Sequence, residues 1–190
     1  MLGHKDLAWL KDRINGNEKR NLVWALERLS FAHESYHDSV LMMVRLVAAK
    51  NEDISNNATG QLIQFFHISL AETEVDLKGC LDTLKEFVDK GEEYIPLVIR
   101  CFDAALQNGG FIKAGGAEKF GFENRKDYIP KTWPKIFEYW YGCRDLLLEW
   151  MNKKPELAEL LAGMVEKMFI TGHMEGRRMF LYCFWKKLPK

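Results

Sequence analysis

The sequence predicts an all-α protein, built of antiparallel helical hairpins that stack as a short, HEAT-like α-solenoid. From Asn21 to Glu93, amphipathic stretches of about fourteen residues alternate with short capped turns, and no strand pattern interrupts them. The same spacing resumes after Lys131 and gives about eight helices in all. The helix-pair period of roughly 35 to 45 residues falls in the range of α-solenoid repeats.

Length and composition favour a single folded domain over residues 1–190. The chain has 190 residues, of which 47% are hydrophobic, and this is enough to bury a core. Lysine plus arginine and aspartate plus glutamate both number 27, so no bulk charge attracts nucleic acid or an anionic membrane. The composition therefore argues against both of these partners.

The cysteines and the N-terminus indicate a cytoplasmic protein. Four cysteines lie far apart in predicted helices: Cys80, Cys101, Cys143 and Cys183. They form no CxxC pair, which is typical of buried free thiols in a reducing compartment. Residues 1–12 carry lysine and aspartate where a signal peptide needs an apolar stretch. The best hydrophobic run, Val40 to Ala49, contains Arg45 and is too short to span a bilayer.

The first three helices are predicted from apolar stripes and capping residues. A short first helix from Leu7 to Ile14 ends at Asn15-Gly16, and Asn17 caps the second. Ser35 and Asp38 stand in capping-box relation before the third helix. The second and third helices carry these apolar stripes and form a hairpin: Leu22, Ala25, Leu26 and Leu29, then Val40, Met43, Val44 and Val47.

A second hairpin and a further helix follow. Asn56 or Asn57 opens the fourth helix, Thr73 and Asp76 open the fifth, and Pro96 lies in the first turn of the sixth. The fourth and fifth helices bury these residues: Leu62, Phe65, Phe66 and Leu70, then Leu77, Leu81, Leu84 and Val88. The sixth buries these: Ile95, Val98, Ile99, Phe102 and Leu106.

Residues 108–131 interrupt the helical pattern. Five glycines and the absence of an apolar period predict an irregular Gly-rich loop, a kind of segment that often carries function. Helices resume at Thr132 with Pro134 in the first turn, and another begins at Lys154-Pro155-Glu156. A last helix is predicted from about Met174 to Lys187.

One segment matches a catalytic motif. Residues 33–37 read HESYH, the HExxH pattern of zinc peptidases, in which two histidines one helical turn apart bind the metal. His33 and His37 would be the ligands, and Glu34 would activate water. This gives a zinc-dependent hydrolase as the alternative function.

The local capping pattern argues against that alternative. Because Ser35 and Asp38 resemble the cap of a new helix, His33 and His37 are expected to straddle a turn and diverge. No spacing marks a third ligand. We therefore predict no catalytic residue, no metal site and no cofactor.

Six residues are the candidate partner contacts. Exposed aromatic side chains in the Gly-rich loop could dock a protein, and the C-terminus combines an aromatic helix with a basic edge. The aromatic helix would expose apolar surface unless an oligomer or another domain covered it. The candidates are Phe111, Phe120 and Phe122 in the loop, and Arg177, Arg178 and Trp185 near the C-terminus.

Roughly residues 20 to 90 resemble a helical segment of large prokaryotic STAND-type NTPases. The resemblance is carried by residues 21–27, by Glu34-Ser35-Tyr36, by Val40 to Ala48, and by Asn56-Asn57-Ala58 with Phe65-Phe66 and Thr73. Those proteins are multidomain signalling ATPases, many of them acting in defence against phage. The ATPase motifs themselves do not occur in this sequence.

The resemblance implies a non-catalytic helical-repeat module for protein–protein contact. It would be the sensor or scaffold arm of a larger signalling or defence ATPase and would contact a protein partner or a neighbouring domain. A homo-oligomer is a further option. The zinc-dependent hydrolase of residues 33–37 stays as the alternative.

Overall fold

Seven α-helices and no β-strand make up the part of the chain that the structure describes. The structure is a computed structural model and describes residues 6–49, 58–69, 71–88, 90–107, 126–159 and 161. The helices are α1 (Leu7–Arg13), α2 (Gly16–Leu29), α3 (His33–Ala48), α4 (Ala58–Gln64), α5 (Leu77–Val88), α6 (Ile95–Leu106) and α7 (Trp133–Lys153). Two short 3₁₀ turns lie at Glu92–Tyr94 and Pro155–Leu157. The all-α prediction is confirmed.

The start of α2 lies two residues earlier than predicted. Asp6 caps α1, since its Oδ1 atom accepts a hydrogen bond of 2.7 Å from the Trp9 amide. Asn15 then serves as the N-cap of α2, and Gly16 opens the helix with φ of +48°. A side chain at this left-handed position would be strained, so glycine permits the abrupt change of direction from α1 to α2.

The buried face of α2 also differs from the predicted stripe. Leu26 is buried, but Leu29 is 48% exposed and Ala25 is exposed as well. The helix buries these four residues: Lys19, Val23, Leu26 and Glu27. Two of these are charged, so the buried face of α2 is not the one that the apolar pattern predicts.

Helix α3 lies at the centre of the fold and packs against α1, α2, α4, α5 and α6. Its inner side chains are fully buried, as predicted for Val40, Met43 and Val44. Full burial of one such side chain stabilises the fold by about 1.5–3 kcal/mol. Helix α3 therefore connects α1 and α2 to α4, α5 and α6.

Helix α3 begins at His33, not after Ser35 as the capping pattern predicts. The turn between α2 and α3 occupies residues 30–32, and Ala32 is the N-cap. The Oε1 atom of Glu74 accepts from the His33 amide at 2.9 Å. The Ser35 hydroxyl donates back to the Leu29 carbonyl at 2.5 Å. A cap from a residue 41 positions away leaves no local sequence signal.

Helix α4 is shorter than predicted. It ends at Gln64, and Phe65 and Phe66 are buried in the turn that follows. The Phe66 carbonyl accepts a hydrogen bond from the Tyr139 hydroxyl at 2.9 Å. A tertiary partner thus satisfies a carbonyl that a longer helix would have paired internally.

Helices α5, α6 and α7 follow the predicted pattern closely. Asp76 caps α5 by accepting from the Gly79 amide at 2.9 Å, and Pro96 lies in the first turn of α6. Helix α5 packs mainly against α3, α6 and α7, whereas α4 packs against α2, α3 and α6. The second hairpin predicted from the fourth and fifth helices is therefore not observed. Its four predicted core residues are all buried: Leu77, Leu81, Leu84 and Val88.

Part of the predicted C-terminal half lies outside the described residues. Residues 126–131 form no regular secondary structure, while residues 108–125 and 162–190 are among those not described. The helix predicted from Met174 to Lys187 falls in the latter range. None of the helices in the described ranges combines the length and the hydrophobicity that crossing a bilayer requires.

Candidate functional site

The HExxH segment lies on one continuous helix. Because α3 begins at His33, His33 and His37 are one helical turn apart on the same side. The expectation that a turn separates them is therefore wrong. His33 is exposed at the first position of the helix, and the His37 side chain is 45% exposed.

The His37 ring bridges α3 and α5. Its Nε2 atom lies 2.7 Å from Oε1 of Glu86, and its Nδ1 atom lies 3.2 Å from Oδ1 of Asp38. The hydrogen bond to Glu86 raises the pKa of His37, although partial burial opposes this shift. A metal ligand must be a neutral imidazole, whereas these carboxylates favour the charged ring.

No third metal ligand accompanies the two histidines within the described ranges. Groups of three or more His, Cys, Asp or Glu arranged to hold a metal ion do not occur there. His67 is buried in the turn after α4, and its burial lowers its pKa. Glu72 lies in the α4–α5 connection with φ of +53°. Neither residue forms a metal-binding group with His33 and His37.

The nucleophilic thiols of the described chain are all in the core. Cys80, Cys101 and Cys143 are buried and free. Burial raises the pKa of Cys80 to about 12, and it also raises the pKa of the other two thiols. The Tyr36 hydroxyl lies 3.4 Å from the Cys80 sulfur. Thiols in such surroundings stay protonated near neutral pH and react slowly.

The six predicted partner contacts lie outside the described residues. They are Phe111, Phe120, Phe122, Arg177, Arg178 and Trp185. The described surface instead exposes four large hydrophobic side chains: Trp24 (43%), Leu29 (48%), Ile129 (60%) and Trp133 (47%). Sequence reasoning assigned Leu29 to the core. Trp24 lies outside the predicted apolar stripe of α2, and this position could have predicted that it is exposed.

Helix α7 carries a ladder of aromatic rings. The Trp133 and Phe137 rings stack with centroids 5.9 Å apart at 29°, and Phe137 stacks on Tyr141 at 6.3 Å and 26°. The Arg144 guanidinium lies 4.9 Å from the centre of the Tyr141 ring and completes the ladder. Trp133, the exposed end of the ladder, is thereby held in one orientation.

A cleft of about 360 Å³ lies between α5, α7 and the segment before α7. Its lining combines apolar residues and tyrosines with six charged side chains. The charged residues are Asp76, Lys78, Asp82, Lys85, Lys135 and Glu138. The Lys135 ammonium lies 5.9 Å from the centre of the Tyr128 ring, on the wall of the cleft.

Two of the three cleft carboxylates already have partners. Asp82 receives Lys78 at 2.7 Å and Lys85 at 2.9 Å, and these contacts lower the pKa of Asp82. Asp76 caps α5. The cleft therefore offers both apolar and charged side chains to a ligand.

Comparison of the chain with protein-family models, with curated proteins and with solved structures gave no significant match. The resemblance to STAND-type NTPases therefore stays a prediction.

Proposed function

We propose that this chain is a non-catalytic helical module that mediates protein–protein contact. The observation that carries the proposal is the exposure of Trp24, Leu29, Ile129 and Trp133, since most other large apolar side chains of the described residues are covered. Tryptophan is enriched among the residues that contribute most to binding energy in protein interfaces.

Both exposed tryptophans are held in place before any partner binds. The Arg20 guanidinium lies 5.3 Å from the centre of the Trp24 ring, and Trp133 stacks on Phe137. A side chain that is already ordered loses less conformational entropy on binding, a saving of about 0.5–1.5 kcal/mol for each side chain. These positions thus suit interface anchors.

The contacts between helices adjacent in the sequence are the feature that supports a repeat architecture. Such helices pack against each other in the pairs α2–α3, α3–α4, α5–α6 and α6–α7, while α3 also contacts α1, α5 and α6. We propose that these pairs are the hairpins of a short, HEAT-like array. In that form the chain would act as a sensor or scaffold arm of a larger signalling ATPase, and its partner would be another protein or a neighbouring domain.

The test is affinity capture from the native cell with the chain and with the variants Trp24→Ala and Trp133→Ala. We expect a reproducible protein partner that at least one variant loses by about tenfold. A buried-residue variant, Val98→Ala, serves as a control for general destabilisation. If neither variant changes the capture of the partner, the exposed tryptophans do not contact it and the proposal loses its support.

The zinc-dependent hydrolase stays a second candidate, because α3 places His33 and His37 one helical turn apart. Metal analysis of the purified protein by mass spectrometry, with His33→Ala as control, distinguishes the two functions. Near one zinc per chain, lost in the variant, would favour the hydrolase. In that case Glu34→Gln should abolish hydrolysis while leaving the metal in place.

A further inference from the structure

We draw no further inference here: the strongest candidate, the cleft between α5, α7 and the segment before α7, carries nothing, because its three lysines are matched by three carboxylates, Asp82 pairs with two of the lysines, and nothing in the lining selects one kind of occupant.

Discussion

The Tyr139 hydroxyl in α7 donates a hydrogen bond to the Phe66 carbonyl, 2.9 Å away, in the turn that ends α4. The two residues are 73 positions apart. From the other side, the Tyr36 hydroxyl of α3 lies 3.5 Å from the Phe65 carbonyl. Burial keeps both phenols protonated, because it raises the pKa of each well above its ordinary value. Two helices thus provide donors at the C-terminal end of a third.

Replacement of Tyr139 by phenylalanine should destabilise the fold by about 1–3 kcal/mol, since the buried Phe66 carbonyl would lose this donor. Urea unfolding followed by circular dichroism measures the change. Tyr128→Phe is the matched control, because Tyr128 makes its contacts through its amide and its ring face rather than through its hydroxyl. Equal stability of Tyr139→Phe and wild type would show that the hydrogen bond contributes nothing net.

Gly142 permits α5 and α7 to approach each other. A Cβ atom at this position would collide with the Leu81 side chain, which is 9% exposed and has little room to move. In an exposed helix, Gly→Ala stabilises by about 1 kcal/mol. At Gly142 the collision should reverse the sign of this effect, so that Gly142→Ala lowers the free energy of unfolding by about 1–3 kcal/mol.

The double variant Gly142→Ala/Leu81→Ala tests the cause of that reversal. If the collision with Leu81 is responsible, the two substitutions should be less destabilising together than the sum of their separate effects. Additive effects on the free energy of unfolding would show that Gly142→Ala destabilises the fold for a reason other than contact with Leu81.

The sequence predicted correctly those helix boundaries and buried faces that depend on residues within the helix or next to it. The Asp76 cap, the first-turn Pro96 and the buried stripe of α5 all lie where the spacing of residues indicates. The start of α3 could not be predicted, because its cap comes from Glu74 in the α4–α5 connection. The end of α4 depends in the same way on Tyr139. Tertiary contacts override local preference at these boundaries.

The candidate site was harder to predict than the fold. Helix α2 buries Lys19 and Glu27 while Leu29 is exposed, and charged residues on an inner face are not expected from composition. Residues 126–131 were predicted to be irregular, but the sequence did not show that the Tyr128 amide donates to the Thr73 carbonyl and ties this segment to the α4–α5 connection.

The ion pair between His37 and Glu86 should make stability depend on pH. Because the pKa of His37 is raised in the folded state, its contribution is fully present below the unfolded value of about 6.5 and is lost as the pH rises through the folded value. The His37 side chain is 45% exposed, so solvent screening keeps the effect below about 1 kcal/mol.

Unfolding by urea at about pH 6 and pH 8 measures this dependence, with Glu86→Gln as the control. We expect the wild-type chain to gain more stability than the variant when the pH falls from the higher to the lower value. The same pH dependence in both proteins would exclude the pair as its source.

The three thiols in the core should be unreactive in the folded protein. Burial raises the pKa of Cys80 to about 12 and also raises the pKa of Cys101 and Cys143, so very little thiolate exists near neutral pH. The fully buried side chains are also inaccessible to reagents.

In a Cys183→Ser variant, which removes the cysteine outside the described residues, Ellman's reagent should release almost no colour until the protein unfolds. Addition of urea should then release colour from three thiols, with a midpoint that matches loss of the helical circular dichroism signal. A thiol that reacts well before that midpoint would show that its helix opens locally, and single Cys→Ala variants would identify which of α5, α6 and α7 does so.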